Sequence, residues 1–435
     1  MGPLPAPRPN VGVRPRRALL VVLAAYLVLG VAYSFATRLR WGPDEPGHIA
    51  YIQSLALDHR FPSLGEEDVY RPGAAISHQV QHPPLYYFAA AVVYRLTMPL
   101  SEDQRVRVLR LFSVALGALG LWLLWRLTGV LFPAADDRRP AVVAALALLP
   151  IFDYMTSVVS NDVLVVMLSA AAFLVTAQIL AGDGRLSRHA LAGLMAGLAI
   201  ATKEVALALL PVVLIGLMLP RGESGPGFGR RLLGAGIALA IALAIPAPWW
   251  IRNLVLFDQP VVYAYVKPPF ESLSAALANP TLAIGILAVS AERSFLTMWA
   301  PYWAIKGIIP RAPYLLVAAA VSGGAVLGLL MLWVDHAGKR ITMARVQAQS
   351  MGLMLAFALL VAGGIIRYTL LVDYRAVEGG RYMLVTWPYL AVLGVTGWAY
   401  VAGSWRRIAL RALSVLWLAL DVTVLWAVGR TYARW

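Results

Sequence analysis

The sequence predicts an all-α polytopic membrane protein, on three observations. Hydrophobic residues make up 60% of the 435, and the mean hydropathy is +0.71, more apolar surface than a soluble chain of this length can hide. Many apolar runs approach the ~20 residues that a helix needs to cross a bilayer. The runs are continuous and do not alternate with period two, which excludes a membrane β-barrel. There is no cysteine, so disulfides and thiolate chemistry are excluded as well. A formal charge of +15 raises the question of nucleic acid. In so apolar a chain it reads instead as basic cytoplasmic loops facing anionic lipid, and no nucleic-acid partner is expected. The Arg- and Ala-rich composition suggests a GC-rich bacterial genome, hence a bacterial cytoplasmic membrane.

Residues 1–17 are rich in Pro and Arg and are expected to form a disordered cytoplasmic N-terminus. The first span, about 18–37, follows four arginines and has no convincing cleavage site, so it reads as a retained helix with its N-terminus inside. A polar stretch over 38–105 comes next. It holds four of the six histidines, and its eight acids include Asp44, Glu45, Glu102 and Asp103. A structureless loop of that length is unusual, so helices lying on the membrane surface are expected near 47–58 and 84–98, the second beginning after Pro83-Pro84. Further spans read as about 106–132, 140–157, 162–181, 190–202, 204–219, 232–251, 312–334, 349–366, 382–403 and 411–428, about eleven in all. With the N-terminus inside, every loop predicted cytoplasmic is basic: Arg138-Arg139, Arg185 with Arg188, Arg221 with Arg230 and Arg231, Lys339 with Arg340 and Arg345, and Arg406-Arg407. A span over 281–300 would invert the last two of these, so 252–311 is placed outside as a second large loop with surface helices. Residues 18–435 are expected to form one transmembrane domain.

This topology gathers chemistry-bearing residues on the extracytoplasmic side: Asp44-Glu45, the turn Gln81–Tyr87, Asn161-Asp162, Lys203-Glu204, Trp249, Trp250, Arg252 and Asn253, and Arg375, Glu378, Arg381 and Tyr382. Each has a plainer reading. Asp44 can serve only to cap a helix. Lys203 can snorkel, and Arg252 can anchor a helix end at the interface. The loop around Glu378 can be a solvated salt bridge. His78 and His82 have the spacing of a metal pair, but Pro83 takes His82 out of helical geometry. Jointly, carboxylates and cations on one face suit group transfer from a lipid phosphate. A carboxylate can deprotonate an acceptor hydroxyl, and Arg and Lys can stabilise the departing phosphate.

Five segments resemble, in order, motifs of the bacterial GT-C glycosyltransferases, the superfamily of protein O-mannosyltransferases and aminoarabinose transferases. They are WGPDEPGHIAYIQSLA (41–56), QHPPLYY (81–87), GLAIATKEVALALLP (197–211), PWWIRNLVLFDQP (248–260) and EGGRYMLVTWPYLAVL (378–393). The resemblance implies a GT-C fold with a large first extracytoplasmic loop. It implies a polyprenyl-phosphate-linked sugar as donor and a glycan, lipid or protein hydroxyl as acceptor, with membrane lipids around. Carried over by position, Asp44 is the candidate base, with Glu45 supporting it or contacting the acceptor. Lys203, Arg252 and Arg381 become donor-phosphate contacts. His48, His82, Tyr86, Tyr87, Arg375 and Glu378 become cavity residues near the acceptor. Three departures stand out: His82 takes the place of a usual Gln, an acid before Pro83-Pro84 is missing, and Asp258-Gln259-Pro260 lacks the usual Gly. The sequence ends soon after the last predicted span, and the C-terminal soluble domain of larger members is not expected. Oligosaccharyltransferase-like members use a divalent cation; without an Asp-x-Asp motif, none is expected here.

The function that follows is inverting glycosyl transfer on the extracytoplasmic face. Two other classes compete with it. A transporter or lipid flippase with an acidic external gate predicts ionisable residues near the middle of several spans. A scaffold that keeps the fold without catalysis predicts a cavity that binds no polyprenyl phosphate.

Overall fold

The computed structural model describes residues 15–63, 79–133, 136–220, 225–263, 268–301, 308–373 and 379–433. Arg375 and Glu378 lie outside the described residues, as do residues 1–14. Helix follows helix, and the described residues contain no β-strand. Among the described residues seven helices are long and apolar enough to cross a membrane: α1 (Pro15–Ala36), α4 (Glu102–Leu131), α7 (Asp162–Leu180), α14 (Arg311–Ala337), α15 (Arg345–Leu371), the stretch through α16 (Gly379–Tyr382) and α17 (Trp387–Val401), and α18 (Arg406–Tyr432). Two bent pairs pass the same test, α5 (Arg138–Ala147) with α6 (Pro150–Thr156) at 59°, and α10 (Phe228–Ala244) with α11 (Ala247–Phe257) at 47°. The remaining two predicted spans are the shorter α8 (Leu186–Ile200) and the helical stretch Glu204–Met218, whose second part is α9 (Leu209–Met218). All eleven hydropathic segments are therefore helical, but only seven have the length and composition of a continuous span. One boundary moves: Pro15–Arg17, expected to be disordered, form the first turn of α1, where a leading proline is favoured.

Helices form where the stretch 38–105 was expected to hold them, α2 (Glu45–Leu57) and α3 (Leu85–Leu96), and they pack on each other. Within 252–311, α12 (Leu273–Ala278) and α13 (Pro280–Thr297) lie against α15 and α16. α7 is the hub, with 89% of its apolar window inside the protein, whereas α14 is peripheral at 22%. Apolar surface gives little drive between helices in lipid, so close backbone approach has to supply the packing. Gly193 and Gly197 of α8 face Ala238 and Ala242 of α10; a Cβ on Gly193 would collide with the Ala238 carbonyl. The same device joins α14 to α17, where a Cβ on Gly397 would strike the Ala325 carbonyl.

The loops predicted cytoplasmic meet one another. Arg407 pairs with Asp137 at 2.7 Å, Gln349 donates to the Pro220 carbonyl at 3.0 Å, and Tyr400 bonds to Asp335.

One buried arginine ties the opposite end together. Arg110, in the interior of α4, is fully buried, and all five of its N–H donors are used. Nε and one Nη grip the Glu45 carboxylate at 2.8 and 2.6 Å. The other donors reach the carbonyls of Ser34 (2.7 Å), Thr37 (2.7 Å) and Arg38 (2.9 Å), groups that the end of α1 leaves without helical partners. Glu45 is equally buried and also accepts from the backbone N–H of Val159 at 3.1 Å and of Gly42 at 3.3 Å. α1, α2, α4 and the α6–α7 connection thus share one ion pair. Arg110→Leu strands the Glu45 charge and three carbonyls, and is expected to cost about 3–5 kcal/mol. Thermal unfolding in detergent checks this; an unfolding temperature equal to that of the wild type contradicts it.

Candidate active site

Asp44 sits at the N-cap position of α2, in the left-handed region at φ 55° and ψ 9°. Asp is among the few residues that visit this region readily. Its backbone carbonyl accepts from His48 N at 3.1 Å, but its side chain caps nothing. The capping reading of the side chain is therefore set aside. The carboxylate reaches across the fold to Arg381 Nη2 at 2.6 Å and remains 41% exposed. The Arg381 guanidinium holds the Asp44 carboxyl well below the ordinary carboxylate range and outweighs the partial burial that would raise it. His48 and Lys203 pull in the same direction.

Arg381 is delivered by α16, seated by its neighbour Gly380. Gly380 N donates to Thr297 Oγ1 of α13 at 3.1 Å, and a Cβ there would collide with the Ser294 carbonyl. Only glycine permits that approach.

Lys203 stands in extended conformation between α8 and the 3-10 turn Glu204–Ala208. Helix is broken there, and the ammonium reaches Asp162 Oδ1 at 2.5 Å. Asp162 opens α7, where the helix dipole favours a carboxylate, and its own N–H donates to the Ser160 hydroxyl oxygen at 3.2 Å. The Nζ of Lys203 lies 5.6 Å from the Tyr382 ring centroid, and the guanidinium of Arg381 also lies 5.6 Å from it. Two cations from distant segments thus flank one ring, each paired with a carboxylate.

His48 is buried and shares a hydrogen bond of 2.9 Å with the Tyr87 hydroxyl through Nδ1. Tyr87 stacks on Tyr51 with centroids 3.9 Å apart. His82 Nδ1 meets Glu204 Oε2 at 3.2 Å.

Not every expected residue joins this group. Glu45 belongs to Arg110 and the backbone, with no face left for an acceptor. Tyr86 is fully buried and turns to Ser113 of α4 at 3.2 Å, so it does not line a cavity. Arg252 keeps different company. Its guanidinium lies over Trp249 at 4.6 Å and Phe61 at 5.3 Å and donates to Asn253 at 3.2 Å. Among the described residues no group of three or more His, Asp or Glu side chains is arranged to hold a metal. Asp162 and Glu204 were visible in the sequence beside Asn161 and Lys203 but had no role. Arg110 went unnoticed because an arginine near a helix end reads as an interfacial charge; its one signal is its place inside the apolar stretch of α4.

Solved structures share this arrangement of helices. An oligosaccharyltransferase, AglB from Archaeoglobus fulgidus, solved with an inhibitory peptide and a dolichol-phosphate, is 13% identical over 96% of this chain and 56% of its own, with a TM-score of 0.54. ArnT from Cupriavidus metallidurans, bound to undecaprenyl phosphate, is 16% identical over 94% of this chain and 73% of its own, at 0.50. The chain has the GT-C fold. A third GT-C protein, the arabinosyltransferase EmbB from Mycobacterium smegmatis, is 13% identical over 99% of this chain and 39% of its own, at 0.51. The chain spans about half the length of the archaeal enzyme. Residues 81–251 match the family of dolichyl-phosphate-mannose-protein mannosyltransferases. No curated protein sequence matches the chain.

The site carries a pH signature. Burial pushes the His48 imidazole down to about 3 from its ordinary 6.5, with Asp44 pulling the other way. An unfolded His48 binds a proton below about 6.5 that the folded one refuses, so its contribution to stability is whole above that pH and is lost on acidification towards about 3. The slope is about 1.4 kcal/mol per pH unit at most. Unfolding temperatures between pH 6.5 and 4 are expected to fall less steeply in His48→Gln than in the wild type; identical slopes contradict a buried neutral imidazole.

Proposed function

We propose that this protein is an inverting glycosyltransferase that moves a sugar from a polyprenyl-phosphate donor to an acceptor hydroxyl. The observation that carries the reading is the pair of ion pairs around Tyr382. Four chain segments far apart in sequence bring two cations and two carboxylates together, and the most open of the four groups is the carboxylate Asp44. Two proteins of the same fold were solved with polyprenyl phosphates bound, which supports a lipid-linked donor.

In this mechanism Asp44 takes the proton of the acceptor hydroxyl as its oxygen forms a bond to the anomeric carbon. The bond from that carbon to the phosphate oxygen breaks on the opposite face, which inverts the configuration. The departing phosphate takes the electron pair, and Arg381 and Lys203 stabilise its charge with hydrogen bonds in a site where water screens little. Asp44 held by Arg381 is a weak base. A donor phosphate that takes over Arg381 returns proton affinity to Asp44, so the base is strengthened when the donor is in place. The donor's isoprenoid chain suits the apolar face of α13 that carries Leu282, Ile286 and Val289, with Arg293 towards its C-terminal end. The last turn of α13 is joined to Gly380, next to Arg381. Among the described residues no three His, Asp or Glu side chains gather to hold a metal, and no step is routed through one.

The site lies at the end of the bundle away from the basic loops that meet through Asp137, Pro220 and Asp335. By the positive-inside rule that end is extracytoplasmic. We therefore place the protein in a bacterial cytoplasmic membrane with its N-terminus inside.

The test uses purified protein in nanodiscs with a polyprenyl-phosphate sugar. Asp44→Asn is expected to lower transfer by about 10²–10⁴-fold while donor binding persists. Arg381→Ala is expected to weaken donor binding by roughly 10–100-fold, the worth of one charge-assisted hydrogen bond. Full transfer by Asp44→Asn overturns its role as base. Substrate flux in liposomes without turnover by the wild type overturns the reaction and favours a transporter.

A further inference from the structure

A second acidic centre lies inside the bundle, and glycosyl transfer has no use for it. Asp153 sits on α6, just past the 59° bend of the α5–α6 pair, and Asp421 sits midway along α18. Both are completely buried. α6 packs against α18, and the two carboxyl groups meet at that contact. Tyr33 of α1 donates to Asp421 Oδ1 at 2.6 Å and lies 3.0 Å from the Asp421 carbonyl. No donor among the described residues reaches either oxygen of Asp153, or Oδ2 of Asp421.

Among the described residues the surroundings offer no compensating charge. The groups that face the pair are phenols and hydroxyls: Tyr26 and Tyr33 from α1, Tyr314 from α14, and Thr156 from α6 itself. Neither aspartate pairs with Lys, Arg or His among the described residues. Two ionised carboxylates side by side in a bilayer-depth interior repel each other and lack solvation, so this geometry requires a positive charge between them. The close approach of the carboxyls leaves room for a proton.

We propose that Asp153 and Asp421 form a proton-binding site, sharing a proton across the contact between α6 and α18. The shared proton supplies the donor that the three oxygens lack. It also pins the bent span to α1 and α18. The chain that leaves α6 runs directly into Val159, which donates to Glu45, and Asp162, which holds Lys203. The pair thus sets the position of the connection on which the candidate site rests. The assignment stands whether or not the protein transfers a sugar.

Infrared spectroscopy of the whole purified protein in nanodiscs, with aspartate carboxyls labelled with carbon-13, tests it. The wild type at neutral pH is expected to show the carbonyl band of a protonated, buried aspartic acid. Asp153→Asn and Asp421→Asn should each lose that band, since the amide takes over the hydrogen bond and leaves no shared proton. Tyr33→Phe removes one donor and should shift the band without abolishing it, which keeps the test open if an Asn variant does not fold. Absence of the band in the wild type overturns the proposal. So does an unfolding temperature that rises with sodium or potassium chloride in the wild type but not in Asp421→Asn, since a metal cation would then fill the site.

Discussion

The structure hangs on the grip of Arg110 on Glu45. An ion pair this deeply buried gains little over a pair of apolar side chains, because desolvation offsets most of the attraction. Its value here is positional. Each partner is satisfied only when α1 ends where it does, α2 begins where it does, and the α6–α7 connection passes Val159 within reach. A shift of any of these leaves a buried charge or carbonyl without a partner. Asp44, one residue from Glu45, is carried by that constraint. Its left-handed backbone is held between a proline and a fully committed neighbour, and its side chain can only project outward.

That arrangement gives the two adjacent acids opposite lives. Glu45 faces inward and is used up by structure. Asp44 faces outward and meets a cation that a phosphate can take away. Along with Lys203 and Asp162, it makes a balanced set of charges around Tyr382, stable without a ligand and open to exchange with one. An anion arriving at the two cations releases both carboxylates from part of their pairing. This is an economical route to a base that acquires strength only with the donor bound.

Much of the fold was legible because hydropathy and membrane thickness leave few choices: all eleven apolar segments became helices, and the two helices expected within 38–105 lie near their predicted places in the chain. The break at Lys203 was legible as well, because Lys203-Glu204 interrupts the apolar run there; the bend at Pro150 was not, since composition does not show whether an apolar run continues straight or bends. Within the site, Asp44, Lys203 and Arg381 were identifiable because charges at the ends of spans on one face stand out. Side-chain direction was not. Glu45 and Tyr86 have the same neighbours in sequence as Asp44 and Tyr87 yet turn to α4, a choice settled by tertiary contacts with Arg110 and Ser113. Arg252 was grouped with the other cations by topology and by the position it shares with the family motif, and the structure instead wraps it in Trp249 and Phe61. Only the fold shows that Asp421 faces a second buried acid.

The most direct test of the account is a structure with a polyprenyl phosphate bound in nanodiscs. The phosphate is expected in contact with both Arg381 and Lys203, with the Asp44–Arg381 pair opened or shared with the phosphate and the Asp44 carboxylate left facing the acceptor side. A phosphate bound elsewhere, with the Asp44–Arg381 and Asp162–Lys203 pairs intact, contradicts it.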